Sequence, residues 1–264
     1  SPFAFTGNKF EFRAVGSTTN VAVPMAFLNS AVADAFKKST AKLKEIMSSK
    51  TVRDEAVMEL IRQSVKETKA IRFDGNGYSE EWKAEAKKRG LPILNTTADA
   101  LVMLNDKKAT SFLVDTKVLT TEEIHSRYHI NVERYVKTLD LEHDVLIEMV
   151  ASYVIPTLEK QAQEFNEVEG SIITDVLKKE YTKRRQAFET VFVDVLKSNE
   201  EFKEKVNKCR QTSGDDIRMK EIVSTLQPAA EKLRKACDNA EMIVSDDLWP
   251  LPKYREMLLA NMLS

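Results

Sequence analysis

The sequence predicts a mainly α fold: a short N-terminal strand followed by an antiparallel helical bundle. Three observations lead there. Gly and Pro number only 7 each in 264 residues, too few for the turns of an all-β domain. Glu, Lys, Ala and Leu, which favour the helix, dominate the chain from residue 25 onward. Residues 1–24 differ from the rest, being rich in Phe, Thr, Val and Gly and lacking a helical period.

Within that first segment Phe10-Glu11-Phe12-Arg13 alternates apolar and polar residues, the period of a strand. Gly7-Asn8 is a turn signal before it and Gly16-Ser17 ends it. Such a strand projects Glu11 and Arg13 from one face and Phe10 and Phe12 from the other. Pro24 suits a helix start, and helix is expected through Met47. Thr51-Val-Arg-Asp54 reads as an acidic capping box opening a second helix to about Ile71. Phe73 to Tyr78 is a turn, after which Ser79 starts a short charged helix that Gly90 stops. Asn95 to Asp99 leads into a short helix over Ala100 to Leu104, and Ser111 to Val118 reads as an extended connector.

The second half is more regular. Glu133 to about Val168 is a long helix, with Tyr135, Leu139, Leu146, Met149 and Tyr153 near one face and a kink at Pro156. A second run carries Ile173, Leu177, Tyr181, Phe188, Phe192 and Val195 as a stripe. Ser198-Asn-Glu-Glu201 reads as a capping box that opens a third run, which Gly214 breaks. A fourth run extends from Asp216 past Cys237, with an irregularity at Pro228. Long amphipathic helices with short connections pack most economically as an antiparallel bundle.

Composition narrows the function classes. Forty Lys and Arg against 41 Asp and Glu leave a net charge of −1. That balance offers no electrostatic footprint for nucleic acid or an anionic membrane, so neither is expected as a partner. A 42% apolar fraction is enough to bury a core. No apolar run reaches the ~20 residues that span a bilayer. Cys209 and Cys237 make neither a disulfide framework nor a zinc motif, which points to a reducing, cytoplasmic location. A chain that begins at Ser1 with a hydrophobic stretch already under way reads as a fragment or a processed product.

Several constellations invite a functional reading. His125, His129 and Glu133 recur every fourth residue, which a helix would place on one face as a divalent-metal geometry. The H-E-x-x-H order is absent, and a solvated helix face is the favoured reading. His143 is expected at the surface. The glycines of Phe73-Asp-Gly-Asn-Gly-Tyr78 lack the G-K-[ST] of a phosphate loop and are read as a bare turn. Asn95-Thr96-Thr97 is formally a glycosylation sequon and is read as a loop leading into a helix. Glu11 and Arg13 stay open on the residues alone. The polar face of an edge strand is the favoured reading, and a hard-oxygen metal ligand beside a bidentate binder of carboxylate or phosphoryl groups is the alternative.

Residues 1–33, SPFAFTGNKFEFRAVGSTTNVAVPMAFLNSAVA, resemble the last active-site block of type III glutamine synthetases. DDLWPLPKYREMLLA, Asp246 to Ala260, resembles the C-terminal tail of the same family. The resemblance implies a division into the end of a catalytic domain at 1–24, a helical continuation with turns at 25–130, a long-helix bundle at 131–245 and a tail at 246–264. It implies a glutamate–ammonia ligase that uses ATP and Mg²⁺ or Mn²⁺ and proceeds through γ-glutamyl phosphate. Glu11 matches the metal-ligating glutamate of the family's E-x-R motif. Arg13 matches its arginine, with a catalytic and glutamate-binding role, and Lys9 falls where a basic residue lies near the nucleotide phosphates. Homo-oligomers of two rings are implied as well. The family's other metal ligands and ammonia-site residues precede this block, so the 264-residue chain alone is expected to be inactive. A different class of reading makes it a non-catalytic helical interaction or oligomerisation module.

Overall fold

A computed structural model describes residues 3–5, 9–12, 20–49 and 52–259. The chain divides into two compact units, Ser1–His129 and Ile130–Ser264. In the first, strands β1 (Phe3–Phe5) and β2 (Phe10–Phe12) pair antiparallel, with Phe3 opposite Phe12, Ala4 opposite Glu11 and Phe5 opposite Phe10. The expected strand thus has a partner that the sequence did not announce.

Helix α1 (Ala22–Ser49) starts where the Asn20 side chain accepts a bond from the Ala22 N–H at 2.8 Å, satisfying a donor that the first turn leaves unpaired. It packs against α2 (Arg53–Glu67) and α5 (Lys107–Asp115). Phe27 meets Phe112 edge-on at 6.5 Å, and Lys42 pairs with Glu67 at 2.8 Å. Helix α2 ends at Glu67, four residues before the expected Ile71. Its N-cap is Val52, with no side-chain cap, rather than the expected Thr51, which lies outside the described residues. Asp54 and Glu55 in the first turn complement the helix dipole instead.

Helix α3 (Glu80–Lys88) follows its sequence signal: Ser79 accepts from the Trp82 N–H, and Gly90 leaves the helix at φ +75°. Trp82 stacks on Phe73 at 3.8 Å, closing the turn back on the helix. Thr96 caps α4 (Thr97–Val102), which begins earlier than expected. The predicted connector at 111–118 is instead mostly helix α5. Asp106 accepts from the Lys108 and Ala109 N–H groups and starts that helix, and Leu113 is fully buried. A capping box opens α6 (Thr121–Met149), twelve residues before the expected Glu133. Thr120 Oγ1 accepts from the Glu123 N–H at 3.1 Å while Glu123 Oε2 accepts from the Thr120 N–H at 2.8 Å.

The second unit is the long-helix bundle. A wide π turn at Val150–Val154 joins α6 to α7 (Ile155–Ser171), and a second at Ile222–Leu226 joins α9 (Asp215–Glu221) to α10 (Gln227–Glu241). Each widening stands immediately before an Ile-Pro or Gln-Pro pair, at Pro156 and Pro228. A proline in a regular helix would collide with the carbonyl four residues earlier, and the wider turn removes that collision.

Helix α8 (Asp175–Arg210) runs without interruption through the expected cap at Ser198. Ser198 and Asn199 are buried inside the bundle, and packing overrides their preference for helix ends. Gly214, at φ +94°, ends the turn after α8. Helix α10 then returns along α8. Phe188, Val195, Phe202 and Val206 of α8 and Leu226, Leu233 and Ala240 of the returning segment are almost wholly buried. Each large apolar side chain so buried contributes about 1.5–3 kcal/mol. Ile173 and Leu177, expected to begin the α8 stripe, are exposed. In α6 the buried face carries Val132, Val136 and His143 rather than the expected Tyr135, Leu139 and Leu146, and Tyr153 is exposed. The segment after α10 is tied to α7: the Ser245 N–H donates to Gln161 Oε1 at 2.7 Å, Thr157 Oγ1 to the Leu248 carbonyl at 3.3 Å, and Trp249 is buried. Helix α11 (Tyr254–Leu259) follows.

Candidate functional site

The pairing of β1 with β2 sets the position of Glu11. Its residue sits at the centre of β2, opposite Ala4, and is half-buried. Lys9 is exposed and directly precedes the strand. Arg13 lies outside the described residues, so its expected position on the Glu11 face is not described.

A strand-borne carboxylate has the right chemistry for Mg²⁺ or Mn²⁺, which prefer hard oxygen ligands. One carboxylate does not hold such an ion. Among the described residues no group of three or more His, Cys, Asp or Glu could bind a metal. Glu11 therefore fits a divalent ion in kind but not in number, and the described residues do not by themselves form a metal centre. One surface pocket, about 620 Å³, is lined by Glu80, Lys83, Ala84, Lys87, Leu91, Ile93 and Asn95, and by none of the three expected site residues.

The other candidates sort by burial. His125 and His129 are exposed on α6 with their Nε2 atoms 3.1 Å apart, and Glu133 is engaged by Lys137 at 2.5 Å. His143, expected at the surface, is 4% exposed, with Nδ1 lacking a partner among the described residues. Burial is the main force pushing its pKa below the usual 6.5, against the opposing pull of Asp140. Burial likewise raises both thiols, Cys237 to about 11, which leaves them protonated and poor nucleophiles.

The sequence reading missed a charged cluster around the α8–α9 turn. Arg218 Nη2 donates to Asp140 Oδ2 at 2.6 Å, and Arg210 Nη2 to Asp144 Oδ1 at 2.7 Å and to the Asp140 carbonyl at 3.2 Å. Thr212 Oγ1 donates to Glu221 Oε2 at 2.8 Å. A second cluster centres on Glu201, which accepts from Lys205 and Lys232, each at 2.6 Å. Both amines hold its carboxyl down at about 2. Partners 70 and 78 residues apart leave no local pattern, whereas the Glu201–Lys205 spacing of four was readable. These clusters fasten helices and converge on no cavity that the described pockets share.

Residues 56–172 match the family described as the glutamine synthetase C-terminal domain. They run from α2 to the end of α7 and exclude β2. Over nearly its whole length the chain is similar to named relatives. A Bacteroides fragilis glutamine synthetase is 31% identical over 281 residues, covering 99% of this chain and 37% of the relative. A Dictyostelium discoideum type-3 glutamine synthetase is 30% identical over 266 residues, covering 98% and 36%. A Butyrivibrio fibrisolvens glutamine synthetase is 28% identical over 280 residues, covering 98% and 37%. The chain spans little more than a third of the length of these relatives. The chain is similar to glutamine synthetases over nearly its whole length, and residues 56–172 match that family's C-terminal domain. The domain match, the partial coverage and the type-3 relative agree with the C-terminal portion of a type III enzyme.

Proposed function

We propose that this chain serves an ATP-dependent glutamate–ammonia ligase, with Glu11 as a metal ligand, Arg13 at the glutamate substrate and Lys9 near the nucleotide phosphates. Similarity to proteins named glutamine synthetase over 98–99% of the chain carries this reading. In the reaction, a γ-carboxylate oxygen of glutamate attacks the γ-phosphorus of ATP and ADP departs. Ammonia then attacks the γ-carbonyl carbon, phosphate leaves, and the nitrogen gives up its proton to yield glutamine. Phosphoryl transfer of this kind depends on positioning and on stabilising charge, which suits a strand-held acid and a guanidinium two residues on.

The metal is Mg²⁺ or Mn²⁺, and its other ligands belong to residues other than those described here. The 264-residue chain alone is inactive on this reading, because one ligand gives no site of useful affinity. The working protein is a homo-oligomer of two rings, and the free thiols of Cys209 and Cys237 suit a cytoplasmic location for it.

Full-length enzyme carrying Glu11→Gln should lose at least tenfold in glutamine formation at limiting Mg²⁺ while its helical circular dichroism is unchanged. Equal turnover at limiting Mg²⁺ would remove Glu11 from the site. Glutamine formation by the 264-residue chain alone would overturn its proposed inactivity.

A role in assembly is favoured by α1, which leaves Met25 54% and Phe36 70% exposed while burying Ser30 and Asp34. Phe36→Glu in the full-length protein should shift its sedimentation toward smaller species. An unchanged profile would take α1 out of the interface.

A further inference from the structure

Helix α6 carries two exposed imidazoles that the proposed ligase chemistry does not use. We propose that His125 and His129 form a bidentate surface site for a borderline divalent transition-metal ion of the Ni²⁺, Zn²⁺ or Cu²⁺ class. The site is separate from the Mg²⁺ or Mn²⁺ ligand proposed at Glu11.

The geometry is that of a chelate. Histidines four apart lie one above the other on a helix. Here their Nε2 atoms converge to 3.1 Å, with ring centroids 4.4 Å apart and planes at 73°. A metal bound at about 2.0–2.1 Å by two imidazole nitrogens sets them about 2.9 Å apart in a right-angle arrangement and about 3.4 Å apart in a tetrahedral one. The observed separation falls between those values, so the rings need only small adjustments to bind. Without metal, one ring nitrogen donates its proton to the other, and the pair is held together either way.

The backbone beneath is pinned. The reciprocal Thr120–Glu123 box fixes the first turn of α6. Ile124 and Tyr128, each adjacent in sequence to one of the histidines, are buried at 6% and 5% exposure. That buried stripe fixes the rotation of the helix and keeps the neighbouring strip, with both histidines, in solvent. The Tyr128 ring also rests against His129 at 5.3 Å. Two ligands held on a rigid element lose little entropy on binding.

Ligand type sets the class of ion. Imidazole suits Ni²⁺, Zn²⁺ and Cu²⁺, whereas Mg²⁺ prefers oxygen. Glu133, the third member of the sequence pattern, is held by Lys137, so water completes the coordination sphere. An ion bridging positions four apart also staples the opening turns of α6 and stabilises the folded chain.

Isothermal titration of the 264-residue chain with Ni²⁺ tests this. One saturable site is expected, with affinity reduced at least tenfold in each of His125→Ala and His129→Ala. A hundredfold excess of Mg²⁺ should change that affinity by less than twofold. Ni²⁺ should raise Tm in the parent and in neither variant, and both variants should keep the parent's circular dichroism, because each side chain is exposed. Loss of the site on adding Mg²⁺, unaltered Ni²⁺ affinity in either variant, or uptake by the parent that does not saturate overturns the proposal. None of these outcomes bears on the role of Glu11, which is read from turnover.

Discussion

His143 of α6 stands edge-on to Phe202 of α8, with ring centroids 5.4 Å apart and planes at 84°. The arrangement places an ionisable ring in an almost closed setting, with Nδ1 unpartnered among the described residues. Neutral imidazole is favoured there over imidazolium, because the desolvation that charging requires outweighs the pull of Asp140.

Stability should therefore depend on pH through His143. Its folded pKa lies below the usual 6.5, so between those two values the unfolded chain binds the extra proton. Its contribution is complete above pH 6.5 and is lost as pH falls from there through the folded pKa. The facing charges are Asp140, Glu142, Asp144 and Arg210. One proton sets a limiting slope of about 1.4 kcal/mol per pH unit. His143→Leu should remove this slope in urea unfolding curves between pH 5 and 7 and change neutral stability by about 1 kcal/mol or less. A slope retained in the variant would assign the dependence elsewhere.

The ion pair between Arg218 and Asp140 is mostly shielded, with side-chain exposures of 17% and 24%. Removing the acid strands a guanidinium whose Nε already lacks a hydrogen-bond partner among the described residues. Asp140→Ala should cost about 1–3 kcal/mol. Arg218→Ala in the same background should add less than it costs alone, giving a coupling of about 0.5 kcal/mol or more in a double-mutant cycle. Additive losses would mean that the two side chains do not act as a pair.

Glu201 responds to acid in the same direction as His143, but over a lower pH range. Its folded pKa of about 2 lies below the ordinary 4.5, so its contribution is present above pH 4.5 and fades as pH drops toward 2. Carbon NMR of its side-chain carboxyl should give a midpoint near 2, rising in Lys232→Ala and in high salt. A midpoint near 4.5 in the parent would show that the lysines do not hold it.

How far the sequence was legible follows from what each signal depends on. The helical class, the Ser79 cap, the break at Gly214 and the irregularities at both prolines rest on local chemistry, and all stand in the structure. The cap reading at Ser198 failed because tertiary burial, invisible locally, decides whether such a residue ends a helix. The α6 stripe was misphased for a similar reason: several apolar residues offered two faces, and only packing chooses between them. His143 looked polar in LEHDV and lies on the buried face. Of the site, periodicity supplied only a strand with Glu11 on its polar face. The roles of Glu11, Arg13 and Lys9 came from resemblance, since one carboxylate and two cations carry no chemistry-specific spacing of their own.

The π turn at Ile222–Leu226 offers the sharpest test of why the backbone takes its shape. The Gln227 N–H donates to the Ile222 carbonyl, five residues back, so one extra residue is absorbed within a single turn. Ile222 and Leu226 before Pro228, and Ala229 and Leu233 after it, are all buried, so the extra residue leaves the apolar face in phase. Deleting the exposed Thr225 should close the turn into regular α-helix with the same faces inward. Pro228 would then sit inside a regular helix, where its ring meets the carbonyl four residues earlier, at a cost of about 3 kcal/mol. Adding Pro228→Ala to the deletion should recover most of that loss, because alanine supplies the missing N–H and removes the clash. Pro228→Ala alone should leave the π turn in place, held by the buried residues on either side, with a stability change of about 1 kcal/mol or less. Urea midpoints of the three variants against the parent give the comparison. If the deletion is as damaging with alanine at 228 as with proline, the widened turn is required for packing rather than for accommodating the proline ring.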